Sequence, residues 1–402
     1  MSEDARSAER PPPAPGHLPR TVVGLAIVSL FTDASSEAIF PLVPAFLTAL
    51  GASNAMVGVI EGAAEFVANI LKYLTGLVAD QRARLKPLIL IGYGLSTTVR
   101  PLIAFALSPW HVLAVRIGDR VGKGVRTSPR DALIAKATDR SIRGRAYGFH
   151  RAMDHGGAAI GTLLSAGLLW YLGATRTGIA TSDQMRTVFL AAAIPGVLAM
   201  LALALTREPA TAAPLSPSPS EATTLPPALR RALLPIALFA CANATDAFIL
   251  VKAARLGASP VLAPLLWLTL HIVKAGTATS GGRLADRHGK RNALAFGWTV
   301  YAISWAAVGF AQRVPVLFLL TAAYGVSHGF TEGAEKALVA ELAAGNGRGK
   351  AFGAYHMLIG FTALVASVTF GAVWDRFGDA VAFLGSGGIA LIAAGVLRRD
   401  VD

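Results

Sequence analysis

Three short motifs recur along this chain in one order and at nearly one spacing. Gly76-Leu77-Val78-Ala79-Asp80 returns 206 residues later as Gly282-Arg283-Leu284-Ala285-Asp286. Leu50-Gly51-Ala52-Ser53 returns as Leu256-Gly257-Ala258-Ser259 at the same offset. Arg143-Gly144-Arg145-Ala146-Tyr147-Gly148 returns as Arg348-Gly349-Lys350-Ala351-Phe352-Gly353 after 205. A period this long belongs to a duplicated domain, not to a solenoid, and it calls for two structurally equivalent halves.

Composition says what medium those halves occupy. Hydrophobic residues make up 53% of the 402 and charged residues only 15%, against roughly 25% charged in soluble domains. Mean hydropathy is +0.53. Apolar stretches of about 20 residues, enough to cross a bilayer, follow one another along nearly the whole chain. Segments such as Thr187–Thr206 and Ala380–Leu397 lack the polar face that a helix of a soluble protein carries. The net charge of +13 lies in short segments between the spans, with no aromatic-interleaved basic face, so a nucleic-acid partner is not expected. Cys241 is the single cysteine and excludes an intramolecular disulfide. No Walker loop, nucleophile elbow or zinc motif occurs, so neither an enzyme nor a cofactor or resident metal is expected.

Twelve spans can be placed: Val22–Ala49, Val57–Ala79, Pro87–Leu107, Trp110–Ala137, Ala146–Leu172 and Val188–Thr206 in one half, then Leu229–Leu256, Val261–Gly282, Ala293–Ala311, Val314–Ala343, Ala351–Trp374 and Val381–Leu397 in the other. The reading is an all-α integral membrane protein with two six-helix bundles, residues 21–206 and 229–398. A polar, Pro-rich tail (1–20) without the pattern of a signal peptide precedes them, and a Pro/Ser/Ala/Thr-rich flexible linker (207–228) separates them. Loops on one side carry Arg82, Arg84, Lys86, Arg140, Arg143, Lys290 and Arg291 among others, whereas the opposite loops hold only His111, Arg176, Arg186, Arg255, Arg313 and Arg376. The positive-inside rule puts the first side, the linker and both termini in the cytoplasm, expected of a bacterial inner-membrane protein. Both halves then enter the membrane in the same sense, related by a pseudo-two-fold along its normal.

Here the chain resembles the major facilitator superfamily of transporters from Val22 to Leu397. The segment Gly282-Arg283-Leu284-Ala285-Asp286-Arg287-His288-Gly289-Lys290-Arg291 is similar to the family's cytoplasmic latch between helices, G-x-x-x-D-R-x-G-R/K-R/K. The first-half copy keeps Gly76 and Asp80 but loses the second glycine. The glycine is expected to let two helices approach and the aspartate to pair with a basic residue or face a helix N-terminus. Arg116 stands where many members carry an arginine tied to proton coupling. Gly148, Gly157 and Gly161 have the glycine spacing of the fifth-span antiporter pattern, although Thr162 replaces its proline and Ser165-Ala166 its final glycine pair.

Charges within spans carry the functional reading, because an ionisable group at bilayer depth costs several kcal/mol. Asp33 and Glu37 lie four apart on one helix face, bracketed by Ser35, Ser36, Pro41 and Pro44, which can open the helix and free its carbonyls. Glu61, Glu65 and Lys72 make a second stripe. The fourth span holds Arg116, Asp119, Arg120 and Lys123, then Arg126, Arg130 and Asp131, and the fifth holds His150, Arg151, Asp154 and His155. Those near the cytoplasmic ends, Arg126, Arg130, Asp131, His150 and Arg151, suit snorkelling or structural ion pairs. Asp33, Glu37, Glu61, Glu65 and Arg116 suit the wall of a cavity, with Lys72 and Asp119 alongside and Asp246 and His271 as the second-half partners. Glu61 and Glu65 can also simply neutralise Arg116 or Lys72.

These features add up to a monomeric secondary transporter, driven by a proton gradient, that exports a small amphipathic or charged compound. Uptake or exchange of an organic anion, a metal-ion exporter and a non-transporting sensor stay open. The acidic first and second spans suit a cation; the basic fourth span suits an anion if its side chains reach the cavity.

Overall fold

The computed structural model describes residues 18–80, 84–139, 143–174, 180–208, 225–342 and 348–399. Among them are fifteen α-helices and no strand. In order they are α1 (Arg20–Ile39), α2 (Val43–Ala49), α3 (Asn54–Asp80), α4 (Lys86–Val99), α5 (Pro109–Ala137), α6 (Arg143–Tyr171), α7 (Ser182–Ala191) and α8 (Ala193–Leu205). Then come α9 (Pro227–Ala242), α10 (Ala247–Arg255), α11 (Leu262–His288), α12 (Lys290–Gly309), α13 (Val314–Leu342), α14 (Arg348–Phe377) and α15 (Asp379–Arg399). Eight helical stretches are long and apolar enough to cross a membrane: α1–α2, α3, α4 with the turn after it, α7–α8, α9–α10, α13, α14 and α15. The remaining four, α5, α6, α11 and α12, fall short of that apolarity. Large apolar side chains cover the outside, with Leu205 83% and Trp170 67% exposed, an arrangement that suits lipid and not water.

The duplication is visible in the helix ends. Helices finish at Ala49, Ala137 and Tyr171, and again at Arg255, Leu342 and Phe377, 206, 205 and 206 residues later. The first span breaks where the prolines stand, in a 3₁₀ turn over Phe40–Leu42. Its counterpart breaks between α9 and α10, at Asn243–Asp246, without proline or glycine. Side chains from elsewhere satisfy that open backbone: the Tyr301 and Ser386 hydroxyls donate to the Ala242 carbonyl at 3.0 and 2.5 Å. The Thr245 N–H donates to Ser367 Oγ at 3.1 Å. This is how non-helical backbone is tolerated at membrane depth.

Helices approach most closely where they present glycine. A Cβ on Gly157 or Gly161 of α6 would collide with the carbonyl oxygens of Leu30 and Ala34 on α1. Gly148 faces open space, so the third glycine of that pattern takes no part in the contact. The two repeats meet along α3 and α14, which run antiparallel from Gly58 against Ser367 to Tyr73 against Gly353. Contacts of α6 with α11 and of α2 with α10 complete the junction. At one end, here the basic end, α3, α5, α11 and α13 finish and α4, α6, α12 and α14 begin.

The latch differs from its expected form. α11 continues through the first part of it to His288, and Gly289 then breaks the chain with a φ of 86°, a conformation glycine adopts without strain. Gly282 has nothing within reach of an added Cβ, and Gly76 makes only an ordinary contact with Ser128. The close approach belongs to the neighbouring residue, Gly281, pressed against the Gly329 carbonyl of α13. One step along a helix turns a residue by 100°, which is enough to exchange the contact face for the open one. Lys290 pairs with Glu341 at the end of α13, Arg287 is exposed and Arg291 half-buried. The side chains of Asp80 and Asp286 lie outside the described residues.

The edges of the expected linker, 207–228, fall among the described residues. Thr21 donates to the Arg207 carbonyl at 2.9 Å. The Glu208 carboxylate accepts from the Leu85 and Lys86 N–H groups at 2.7 and 3.2 Å, capping the start of α4. α9 already begins at Pro227. Residues 1–17 and 209–224, the remainder of the expected tail and linker, lie outside the described residues.

Candidate functional site: a charged cavity between the repeats

Two chambers of about 420 and 450 Å³ lie between the halves and share Lys123, Asn243, His328 and Glu332 as wall residues. The first opens among residues near the basic end, including Lys72, Arg130, Arg151 and Lys336, and reaches Asp33. The second lies deeper, between Glu37, Glu61 and Glu65 of the first repeat and Asp246, Trp267 and Lys274 of the second. Both fall in the size range of small-molecule sites.

Of the residues expected at this wall, Asp33, Glu37, Glu61, Glu65, Lys72 and Asp246 line one chamber or the other. Arg116 and Asp119 line neither chamber. Arg116 donates from Nε and Nη2 to the two Glu61 oxygens at 2.9 and 2.5 Å. Asp119 takes two hydrogen bonds from Arg100, at 3.2 and 2.8 Å, and Arg100 also donates to the Thr32 carbonyl at 3.2 Å. Arg116 and Asp119 themselves approach to 4.0 Å. All four charged side chains are buried, and burial is tolerable because every charge has an opposite one in contact. The network ties α3, the turn after α4, α5 and α1 together behind the wall.

A second cluster joins the repeats. Trp267 Nε1 donates to Glu37 Oε2 at 2.7 Å, and His271 Nε2 lies 3.6 Å from the same oxygen. Phe40, placed by the 3₁₀ turn, packs on Trp267 with ring centroids 4.7 Å apart. His271 is thus drawn to Glu37, beside Trp267 at 5.4 Å and His155 at 6.4 Å. Asp246 sits at the break before α10, where it accepts from the Tyr324 hydroxyl and lies 3.4 Å from Lys274 Nζ. Glu65 accepts from Asn69 at 2.9 Å and faces Lys72 at 3.8 Å.

Two first-repeat cations and one carboxylate at this wall are different. Arg120 and Lys123 line the deeper chamber, and neither makes an ion pair or a side-chain hydrogen bond among the described residues. Asp33 likewise accepts no side-chain hydrogen bond and joins no ion pair; the charges acting on it are Asp154, Glu37, Lys123 and Arg126. Arg120 and Lys123 were visible in the sequence only as members of a dense charged run. Trp267 and Tyr324, which hold the cavity carboxylates, carried no sequence signal, since aromatic residues are common throughout such spans.

The sequence profile of the Major Facilitator Superfamily matches residues 25–278 and 248–401. An uncharacterized MFS-type transporter of Methanocaldococcus jannaschii is 29% identical over 396 residues, 94% of each chain. The multidrug resistance protein MdtH of Photorhabdus laumondii is 34% identical over 134 residues, a third of each chain. Among solved structures, an inward-facing, occupied bacterial homolog of the human lysosomal transporter Spinster superposes with a TM-score of 0.75 at 16% identity, over 94% of this chain and 96% of that one. With the duplicated helix ends, the cavity between the repeats and these matches, the chain belongs to the major facilitator superfamily.

Proposed function

We propose that the chain is a proton-coupled secondary transporter that exports a small charged or amphipathic compound across the inner membrane. In this reading twelve spans form two six-helix halves. They rock about the central cavity and expose it to each side in turn, with the latch side and both termini in the cytoplasm. The observation that carries it is the position of the cavity: its wall is drawn from both repeats, and the repeats touch along α3 and α14 on one flank and α6 and α11 on the other. The partial likeness to a multidrug resistance protein favours export.

Asp33 is the proton carrier in this scheme. It faces the chamber without a bonded partner, between the like charges Asp154 and Glu37 and the opposite charges Lys123 and Arg126. Gaining or losing a proton there changes the field at Lys123, a residue both chambers share. Glu37, Glu61 and Glu65 hold bonded partners and serve structure first. Purified protein in proteoliposomes tests this: Asp33→Asn should abolish accumulation driven by an imposed pH gradient and keep exchange of labelled for unlabelled substrate. Gradient-driven accumulation at the wild-type rate in Asp33→Asn removes the proton from this residue.

A further inference from the structure

Resting on the transporter reading above, we infer that the substrate is an organic anion with a flat apolar body, its charged group held between Arg120 and Lys123.

Charge in the deeper chamber is unevenly paired. Four of the five carboxylates there are already engaged: Glu61 by Arg116, Glu65 by Asn69 and Lys72, and Glu37 by Trp267 and His271. The fourth, Asp246, is engaged by Tyr324 and Lys274, whereas Glu332 lies 3.7 Å from His328 with its side chain largely exposed. Lys274 is thereby neutralised as well. Arg120 and Lys123 remain. They stand three residues apart on α5, hence on one face, and no carboxylate comes within salt-bridge distance of either among the described residues. The Arg120 Nε is buried with no hydrogen-bond partner. A guanidinium and an ammonium side by side in a chamber at bilayer depth repel each other and are costly to desolvate. An anion relieves both costs, and the planar fork of arginine suits a carboxylate or sulfonate.

The rest of the chamber fits the remainder of such a molecule. Phe40 and Trp267 form an aromatic wall in the same space, a surface on which a ring packs by offset or edge contacts. Among the described residues a cation would meet Glu332 alone as a carboxylate without a hydrogen bond, and both chambers share that residue. Asp33, likewise without a bonded partner, lines only the other chamber, so a proton and an anion have separate seats joined through Lys123.

The test uses full-length protein and three probes of one shape: naphthalene-2-sulfonate, (2-naphthylmethyl)ammonium and neutral 2-naphthalenemethanol. Binding is read by calorimetry in detergent, and transport by counterflow in proteoliposomes. The sulfonate should bind and exchange, the ammonium should do neither, and Lys123→Gln or Arg120→Gln should weaken sulfonate binding by about tenfold or more, as expected for loss of a charge-assisted contact. Lys123→Arg should restore most of it, which separates loss of charge from loss of fold. Preference for the ammonium, equal binding of all three probes, binding of none, or sulfonate binding untouched by both glutamine variants overturns the anion site. Exchange of the ammonium alone would do so while leaving the carrier reading intact. Sulfonate binding that depends on Lys123 but never gives counterflow would leave the site standing and sink the carrier reading.

Discussion

Arg116 of α5 and Glu61 of α3 meet in a two-point ion pair, at 2.9 and 2.5 Å, with side chains only 8% and 5% exposed. Arginine in the fourth span therefore clamps two helices through its carboxylate partner, and the Asp119–Arg100 pair extends the clamp to the turn that follows α4. Removing one partner leaves a buried charge, which costs about 3–5 kcal/mol. Glu61→Gln should lower the thermal unfolding midpoint in detergent sharply, and the double variant Glu61→Leu/Arg116→Met should recover most of the loss. A midpoint for Glu61→Gln within a degree of wild type would show that the pair does not hold the helices.

The α1–α6 contact depends on two glycines that have no room for a side chain. Gly161→Val would force the valine methyls into the Ala34 backbone and should cost about 1–3 kcal/mol or more, read as loss of monodisperse protein in size-exclusion chromatography. Gly148→Ala, at an open position, should behave as wild type. Equal behaviour of the two variants would contradict the packing described for α6.

Trp267 reaches from α11 to Glu37 on α1, across the junction of the repeats. Trp267→Phe keeps an aromatic ring, though a smaller one, and removes the N–H, deleting one hydrogen bond to a charged group, about 1.5–3 kcal/mol, along with part of the packing on Phe40. Hydrogen exchange in α2 and α10, the neighbouring junction, should speed up in the variant. Exchange unchanged in both helices would mean that this bond does not help to close the halves.

Much of this architecture is legible in the sequence, and the parts that are not share a physical cause. Helix ends 205 and 206 residues apart follow from motifs that are local, such as Leu50-Gly51-Ala52-Ser53 and its copy. The break at Phe40–Leu42 follows from Pro41, because the effect of proline on backbone is also local. The break at Asn243–Asp246 has no such signal: its backbone is satisfied by Tyr301, Ser367 and Ser386, all more than fifty residues away in the chain. Helical facing is the other obstacle. Arg116 and Asp119 are covered by Glu61 and Arg100, while Arg120 and Lys123, four residues further along the same stripe of α5, border the cavity. A single charged stripe does not say which of its members are covered and which are open until the neighbouring helices are in place. Gly281 and Gly282 repeat that ambiguity on α11.

Alternation of the cavity between two sides can be measured directly in the full chain with Cys241 replaced by serine. Spin labels at Leu77 and Arg287 report the separation of the halves at the basic end, and labels at Thr48 and Ala254 report it at the other; all four positions are exposed. Pulsed electron resonance distances in nanodiscs at high and low pH should change in opposite senses, one pair opening as the other closes. If both pairs stay fixed, or both widen together, the halves do not rock about the cavity and the transport mechanism proposed here is wrong.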